Sequence, residues 1–296
     1  MSQMSKDNTF QAPSAAQSQN TPGLEKNMQP ASEATKLETP SGISEYKGSG
    51  KLQGKKALIT GGDSGIGRSV AALFAKEGAD ITIVYLPVEE EDAQGTKKLV
   101  EAEGKACLLV PGDLRDRNFC KKAVDQHIQR FGHINILINN ASTQSMCDDL
   151  AQIDLDQVEN VFQSNIIQMF AITKFSLPHM KTGDSIINNS SVTTFRGTKS
   201  MVDYASTKGA IVGFTRSLAV QLIPKGIRVN AVAPGSVYTP IQVDTRDSES
   251  MEGWGSNKPL GRPGQPSEVA TSFVFLASAD ASLYYGQILH PHPLGD

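Results

Sequence analysis

From residue 52 onward, short apolar runs alternate with longer stretches in which apolar residues recur every three or four positions. The runs at 56–59, 81–85, 106–110, 134–138, 185–188, 228–232 and 287–290 are rich in Ile, Leu and Val and too short for stable helices. Each predicts a strand. The stretches at 69–77, 92–103, 117–131 and 208–222 carry apolar stripes at helical spacing and predict amphipathic helices between those strands. Strands that are apolar on both faces and separated by helices belong in a parallel sheet covered on both sides. Right-handed crossovers make that sheet doubly wound, a single α/β domain whose ligand crevice lies at the carboxyl ends of the strands.

Residues 1–50 follow neither period. They are rich in Ser, Gln, Pro and Glu, with Leu24, Met28 and Tyr46 among the few large apolar groups. Such a segment buries too little apolar surface to offset its ordering entropy. The expectation is a flexible N-terminal extension over 1–50 ahead of a folded domain over 51–296. Leu24, Met28 and Tyr46 are where it would dock, for instance along a neighbouring subunit.

Composition narrows the partners. A net charge of -3 over 296 residues offers no basic surface for nucleic acid or an anionic membrane. No apolar run reaches the roughly 18 residues that span a bilayer. The N-terminus has no apolar core to serve as a secretory signal. Cys107, Cys120 and Cys147 are too few and too scattered for a disulfide framework or a zinc site. His290 and His292 lack a third ligand, so no metal is expected. These features describe a cytoplasmic protein that acts on a small molecule.

The first candidate chemistry is the stretch KKALITGGDSGIGRSVAALFA, residues 55–75. It reads as strand, glycine turn and helix, and a helix opening after such a turn offers unpaired N–H groups to a phosphate. A Walker A loop nearly matches, through Gly62, Gly67 and Ser69, but Arg68 stands where the lysine belongs. A planar guanidinium does not replace the compact ammonium that reaches between phosphates. A dinucleotide turn fits better, with Gly61, Gly65 and Gly67 in a T-G-x-x-x-G-I-G pattern from Thr60. Thr60, Gly61, Ser64, Gly65, Ile66 and Gly67 are then the cofactor-binding candidates of the turn.

Later strands also end in polar groups. Asp113 and Leu114, in PGDL, suit an adenine amino group and ring; Asn139 and Asn140 suit a bridge between loops or a cofactor contact. Tyr204 and Lys208 are four residues apart, one helical turn, and Ser191 precedes Tyr204 by 13 residues at a strand end. A free phenol titrates near about 10, too high for a base at neutral pH, and a neighbouring ammonium lowers that value. Tyr204 could then pass a proton to or from an alcohol or carbonyl oxygen.

Over about residues 51–290 the chain resembles the short-chain dehydrogenase/reductase family in its Tyr-x-x-x-Lys branch. The resemblance rests on T-G-x-x-x-G-I-G, N-N-A, the Ser191, Tyr204 and Lys208 set, RVNAVAPG and GRPGQPSEVA. It implies a Rossmann-type sheet and an NAD(P)-dependent oxidoreductase moving a hydride between a nicotinamide and an alcohol or carbonyl substrate. It further implies Tyr204 as general acid/base, Lys208 on the nicotinamide ribose, Ser191 on the substrate oxygen and Asn165 in a proton relay. Asn140, Pro234, Gly235, Val237 and Thr239 would complete the cofactor site. Residues 241–260 fall where the family places a substrate lid, with Met251 and Trp254 as candidate pocket residues. A homotetramer paired through the helices of Asn165 and Tyr204 is also implied. The chain departs from the pattern at Ser142, where the family has glycine, in its C-terminal GQILHPHPLGD, and in the leader.

Cofactor choice turns on few positions. NADP users of the family carry a basic residue before the second glycine or just after the second strand; here Ser64 and Leu86 stand there, followed by three glutamates. NAD users usually end that strand in Asp, where this chain has Tyr85, and Arg68 offers a cation near the helix start. The balance favours NAD over NADP. A non-catalytic dinucleotide-binding or scaffold protein on the same fold is the competing reading, disfavoured because all four catalytic-type residues are present.

Overall fold

A computed structural model describes residues 8–294; residues 1–7 of the expected extension and 295–296 of the expected domain lie outside the described residues. Seven parallel strands form the central sheet: β3 (Lys56–Thr60), β4 (Asp80–Tyr85), β5 (Cys107–Pro111), β6 (Ile136–Asn139), β7 (Ser185–Asn189), β8 (Arg228–Val232) and β9 (Ile288–Leu289). Their spatial order is β5-β4-β3-β6-β7-β8-β9, which reverses direction beside β3. That reversal is a topological switch point, where the loops after β3 and β6 diverge and leave a crevice.

The two-residue period of each strand divides the core. Ile59, Ile81, Ile83 and Ile138 face one layer, built with α1 (Gly65–Lys76), α2 (Glu90–Ala102) and α9 (Pro266–Ala277). Leu58, Val84, Leu137 and Val229 face the other, built with α3 (Arg117–Phe131), α5 (Gln168–Ser176) and α7 (Val202–Leu222). Each such buried side chain contributes about 1.5–3 kcal/mol relative to exposure. The remaining helices are α4 (Leu155–Phe162), joined to α5 by a π-helical turn over Gln163–Ile167, and the short α6 (Thr193–Arg196) and α8 (Pro240–Val243).

Helix boundaries differ from the periodicity where polar residues open a helix. α1 starts at Gly65 with Ser64 in the N-cap position, ahead of the apolar stripe. α7 starts at Val202, so the helix already contains Tyr204. Its first turns are Ser-, Thr- and Asp-containing, which hides the apolar period.

Residues 8–50, expected to be flexible, are laid against the domain in this structure. They contain the antiparallel pair β1 (Lys36–Thr39) and β2 (Gly42–Glu45). Polar contacts replace the missing apolar stripe. Ser267 N–H donates to Glu33 O at 3.1 Å, and Ser69 Oγ donates to Ala34 O at 2.6 Å. Glu38 takes an ion pair from Arg262 at 2.9 Å. Glu77, wholly buried, accepts the amides of Ser49 and Lys51 and the Tyr46 hydroxyl.

Candidate active site

A cavity of about 430 Å³ opens at the carboxyl edge of the sheet. Gly61, Ser64, Gly65 and Ile66 of the turn line it, with Asp113 and Leu114 after β5 and Asn140 after β6. Ser191 after β7, Tyr204 and Lys208 on α7, and Pro234, Gly235, Val237 and Thr239 after β8 complete the set. Thr60, Gly67 and Asn165 instead stand behind the wall. Thr60 Oγ1 accepts the amides of Asn140 and Ala141 at 3.0 and 3.1 Å, tying the β3 and β6 loops together. Gly67 lets α1 approach the turn: a Cβ there would sit 1.8 Å from Gly61 O. Gly61 itself holds a φ of +61°, which suits glycine.

The inner end is built from α7 and the β7 loop. Lys208 is 2 % exposed, and its Nζ donates to Asn189 O at 2.9 Å and lies 5.3 Å from the Tyr204 ring centre. Burial pulls the ammonium down to about 7. Burial also pushes the Tyr204 phenol up to about 12, against the nearby Ser191 hydroxyl and the positive charge of Arg246, which lower it. The lowering expected at Tyr204 combines Lys208 with the positive nicotinamide of the loaded site. Ser191 and Ser190 are separated by geometry. The Ser190 hydroxyl donates to Lys208 O at 2.9 Å, while Ser191 Oγ faces the cavity and accepts from Thr193 at 3.0 and 3.2 Å.

Asn165 sits in the π-helical turn with its amide engaged. Nδ2 donates to Thr143 O at 2.8 Å and Thr207 Oγ1 at 3.0 Å, and Oδ1 accepts Thr143 N–H at 2.8 Å. Its side chain fixes the 143 loop. Asn140 bridges as expected, from Nδ2 to Thr60 O and Gly61 O, and accepts from Asn189. Asp113 lines the cavity as its place predicts, and its carboxylate is steadied by Arg115, at 2.6 Å from Nη2. Met251 and Trp254 differ from the expectation. Met251 is fully buried against Met28, Tyr238 and Val243, with Trp254 beside it, and neither lines the cavity.

The outer end holds acids that the sequence reading passed over. Asp63, inside the glycine turn, is 2 % exposed and pushed up to about 6 by burial. Glu89 lines the same wall and rises to about 8, through burial and the Asp63 charge. Arg68 is turned away, donating to Asp63 O at 2.9 Å, Thr96 Oγ1 at 3.1 Å and Asp92 O at 3.0 Å. The signal for Asp63 was its place between glycines; nothing in the pattern marked Glu89 above its acidic neighbours.

Four cavity residues carry buried polar atoms without a partner: Asp63 Oδ2, Ser142 Oγ, Gln168 Oε1 and Asn189 Oδ1. Buried polar atoms are normally paired, so their concentration along one cavity fits a polar ligand running its length. A nicotinamide dinucleotide satisfies that demand, with the glycine turn for its phosphates. Among the described residues no three potential metal ligands come together, and no helix is long and apolar enough to cross a membrane.

A parallel seven-stranded sheet with this turn and this Ser, Tyr and Lys cluster defines a class, and the chain belongs to the short-chain dehydrogenase/reductase family. The family model that matches residues 61–291 is described as enoyl-(acyl carrier protein) reductase. The chain is 49% identical to an uncharacterized oxidoreductase of Bacillus subtilis, YhdF, over 269 residues, 91% of this chain and 90% of the relative. It is 44% identical to a glucose and ribitol dehydrogenase of Daucus carota over 277 residues, 92% of this chain and 95% of that one. A short-chain dehydrogenase from Burkholderia cenocepacia, solved in complex with NADP, superposes with a TM-score of 0.75 at 30% identity. That match covers 81% of this chain and 97% of the other. This chain is thus an NAD(P)-dependent oxidoreductase working between CH–OH and C=O groups.

Proposed function

We infer that Tyr204 transfers the proton in this oxidoreduction, Ser191 holds the substrate oxygen, and Lys208 orients and polarises the site. The observation that carries this reading is the cluster itself: Lys208 Nζ 5.3 Å from the Tyr204 ring, with Ser191, Tyr204 and Lys208 lining the same cavity. When bound, the nicotinamide supplies or accepts the hydride. Tyr204, kept protonated by burial, is poised to donate to a carbonyl oxygen in the reductive half of the reaction near neutral pH. The Ser191 hydroxyl donates to the same oxygen as negative charge develops there. Asn165 is a positioning residue that acts through Thr143.

The inner end is polar, with Thr143, Gln242 and Ser191 on its wall and Arg246 close enough to act on Tyr204. A hydroxylated aldehyde, ketone or polyol suits it, in keeping with the name of the carrot relative. NAD is the proposed cofactor because a 2′-phosphate would meet the Asp63 carboxylate, ionised above about 6, while Arg68 is engaged elsewhere. The Burkholderia complex supports a second reading, NADP. The exposed apolar groups Leu155, Phe170 and Val220, on α4, α5 and α7, support the proposed two-fold pairing into a homotetramer. Free Cys107, Cys120 and Cys147 suit the reducing cytoplasm.

The test is a change in nicotinamide absorbance when the pure protein meets a series of aldoses, polyols and secondary alcohols with each cofactor. Turnover with NAD(H) at the higher kcat/KM supports the proposal, and higher kcat/KM with NADP(H) selects the second reading. Binding without turnover across the series removes the hydroxylated substrate class and leaves other carbonyl compounds to be tried.

A further inference from the structure

The N-terminal segment crosses the outer end of the cavity, and Thr21, Pro22 and Gly23 are part of its lining. We propose that this arm is a working wall of the dinucleotide site, with Glu25 as the residue that locks it to the glycine turn. The inference rests on the dinucleotide reading above and adds an element that the family resemblance did not reach.

Glu25 is 3 % exposed. Its Oε2 accepts Gly65 N–H, the first amide of α1, at 2.8 Å, and its Oε1 accepts the Ser32 hydroxyl at 2.6 Å. Ser64, in the N-cap position, makes no side-chain cap, so Glu25 takes that task from a segment forty residues away. A carboxylate at a helix N-terminus is stabilised by the dipole and the free amide. The adjoining amides of Glu25 and Lys26 donate to Asp92 at 2.7 and 3.0 Å, which fastens the arm to the first turn of α2.

The same arm is bonded to the lid side. Gly23 N–H donates to Asp244 Oδ2 at 2.8 Å, and Gln19 N–H donates to Val243 O at 3.1 Å. Gln17 N–H reaches Ser248 O at 3.2 Å. Gly23 lies so close to α8 that a Cβ would stand 2.7 Å from Pro240 O. Met28 is buried with Tyr238, Val243 and Met251. The arm therefore bolts together the glycine turn and the segment around α8, two walls of one cavity, and the start of α2, next to the cavity residue Glu89. A dinucleotide lying among them leaves only when the arm or those walls move. Linkage makes the effect reciprocal: an arm that slows cofactor release is itself held down by cofactor.

The test uses the full chain, a chain lacking residues 1–32, and the single variants Gly23→Val, Glu25→Ala and Glu25→Gln. NADH binding is titrated by fluorescence, release is timed by stopped flow, and arm cleavage by a protease is followed with and without NADH. Truncation and Gly23→Val should each raise Kd about tenfold or more, mainly through faster release. Glu25→Ala should weaken binding about tenfold, and Glu25→Gln, which keeps a carbonyl oxygen for Gly65 N–H, should stay within about threefold of the parent. In the full chain, saturating NADH should slow cleavage within residues 9–32 about tenfold or more. The single variants leave β1 and β2 in place, so a truncated chain that fails to fold still leaves the question answerable. Equal Kd and release rates in the full chain and the Gly23→Val and Glu25→Ala variants, or arm cleavage indifferent to NADH, would overturn the proposal. If the full chain binds neither NADH nor NADPH, the dinucleotide reading itself falls.

Discussion

The two ends of the cavity are made by different means. At the inner end Ser191, Tyr204 and Lys208 are carried by β7 and α7, whose backbones are fixed by the sheet and the core on both of its faces. At the outer end the walls are a glycine turn, Glu89 ahead of α2, and an arm held by hydrogen bonds through Glu25, Lys26, Gly23, Gln19 and Gln17 and by buried Met28. Their electrostatics differ as well: Lys208 and a nearby Arg246 inside, the Asp63 carboxylate outside, with Glu89 kept protonated near neutral pH by burial and the Asp63 charge. Chemistry needs groups placed to a fraction of an ångström, which secondary structure provides. Holding and releasing a cofactor needs parts that can open, and loosely bonded segments provide those.

Breaking the inner end should cost most. Tyr204→Phe keeps the ring and removes the proton carrier, so kcat should fall about 10²–10⁴-fold with NADH binding retained, as steady-state rates and a binding titration would show. Ser191→Ala removes a donor to the substrate oxygen and should lower kcat about 10–10²-fold, with little change in the cofactor's Kd. The pH response sharpens the same point. Alcohol oxidation needs Tyr204 deprotonated, and its resting value is about 12, so kcat/KM for oxidation should climb from neutral to alkaline pH. Carbonyl reduction uses the protonated form and should lack that rise; a reduction rate that climbs equally would separate Tyr204 from the proton transfer.

Changes at the outer end should act on selectivity and be smaller. Asp63→Asn removes a charge while keeping the shape, so the kcat/KM ratio of NADP to NAD should rise about tenfold. An unchanged ratio would remove Asp63 from the discrimination. Stability provides a control remote from both ends. His127 is fully buried, bonded to Thr82 Oγ1 at 2.8 Å and His133 O at 3.0 Å, and pulled down to about 4 by burial. The unfolded chain takes up that proton first as pH falls from about 6.5, so the contribution present above 6.5 is lost toward 4, amounting to about 3 kcal/mol. Urea melts across that range should show a flatter acid limb in His127→Gln.

The inner end was readable in the sequence because each of its parts leaves a local trace. Buried strands leave apolar runs, and a side-chain pair on one helix face leaves a fixed spacing, as with Tyr204 and Lys208. The outer end leaves almost none. Asp63 could be placed in the turn but not given a partner, and Glu89 was one acid among three. The arm is joined to the domain by backbone amides and carboxylates, contacts that produce no periodicity, so Glu25 and Gly65, forty residues apart, could not be paired by reading along the chain. Asp113 lies between the two: it lines the cavity as its place predicted, but its ion pair with Arg115, two residues on, left no trace in the pattern.

The most direct measurement of this two-ended site is a crystal structure of the full chain with NADH. The nicotinamide should lie beside Tyr204 and Ser191, the pyrophosphate over the glycine turn beside the Glu25-capped start of α1, and the adenosine ribose against Asp63 beneath Thr21–Gly23. A cofactor bound in the reverse sense, or bound with the arm displaced from Gly65, would contradict that arrangement.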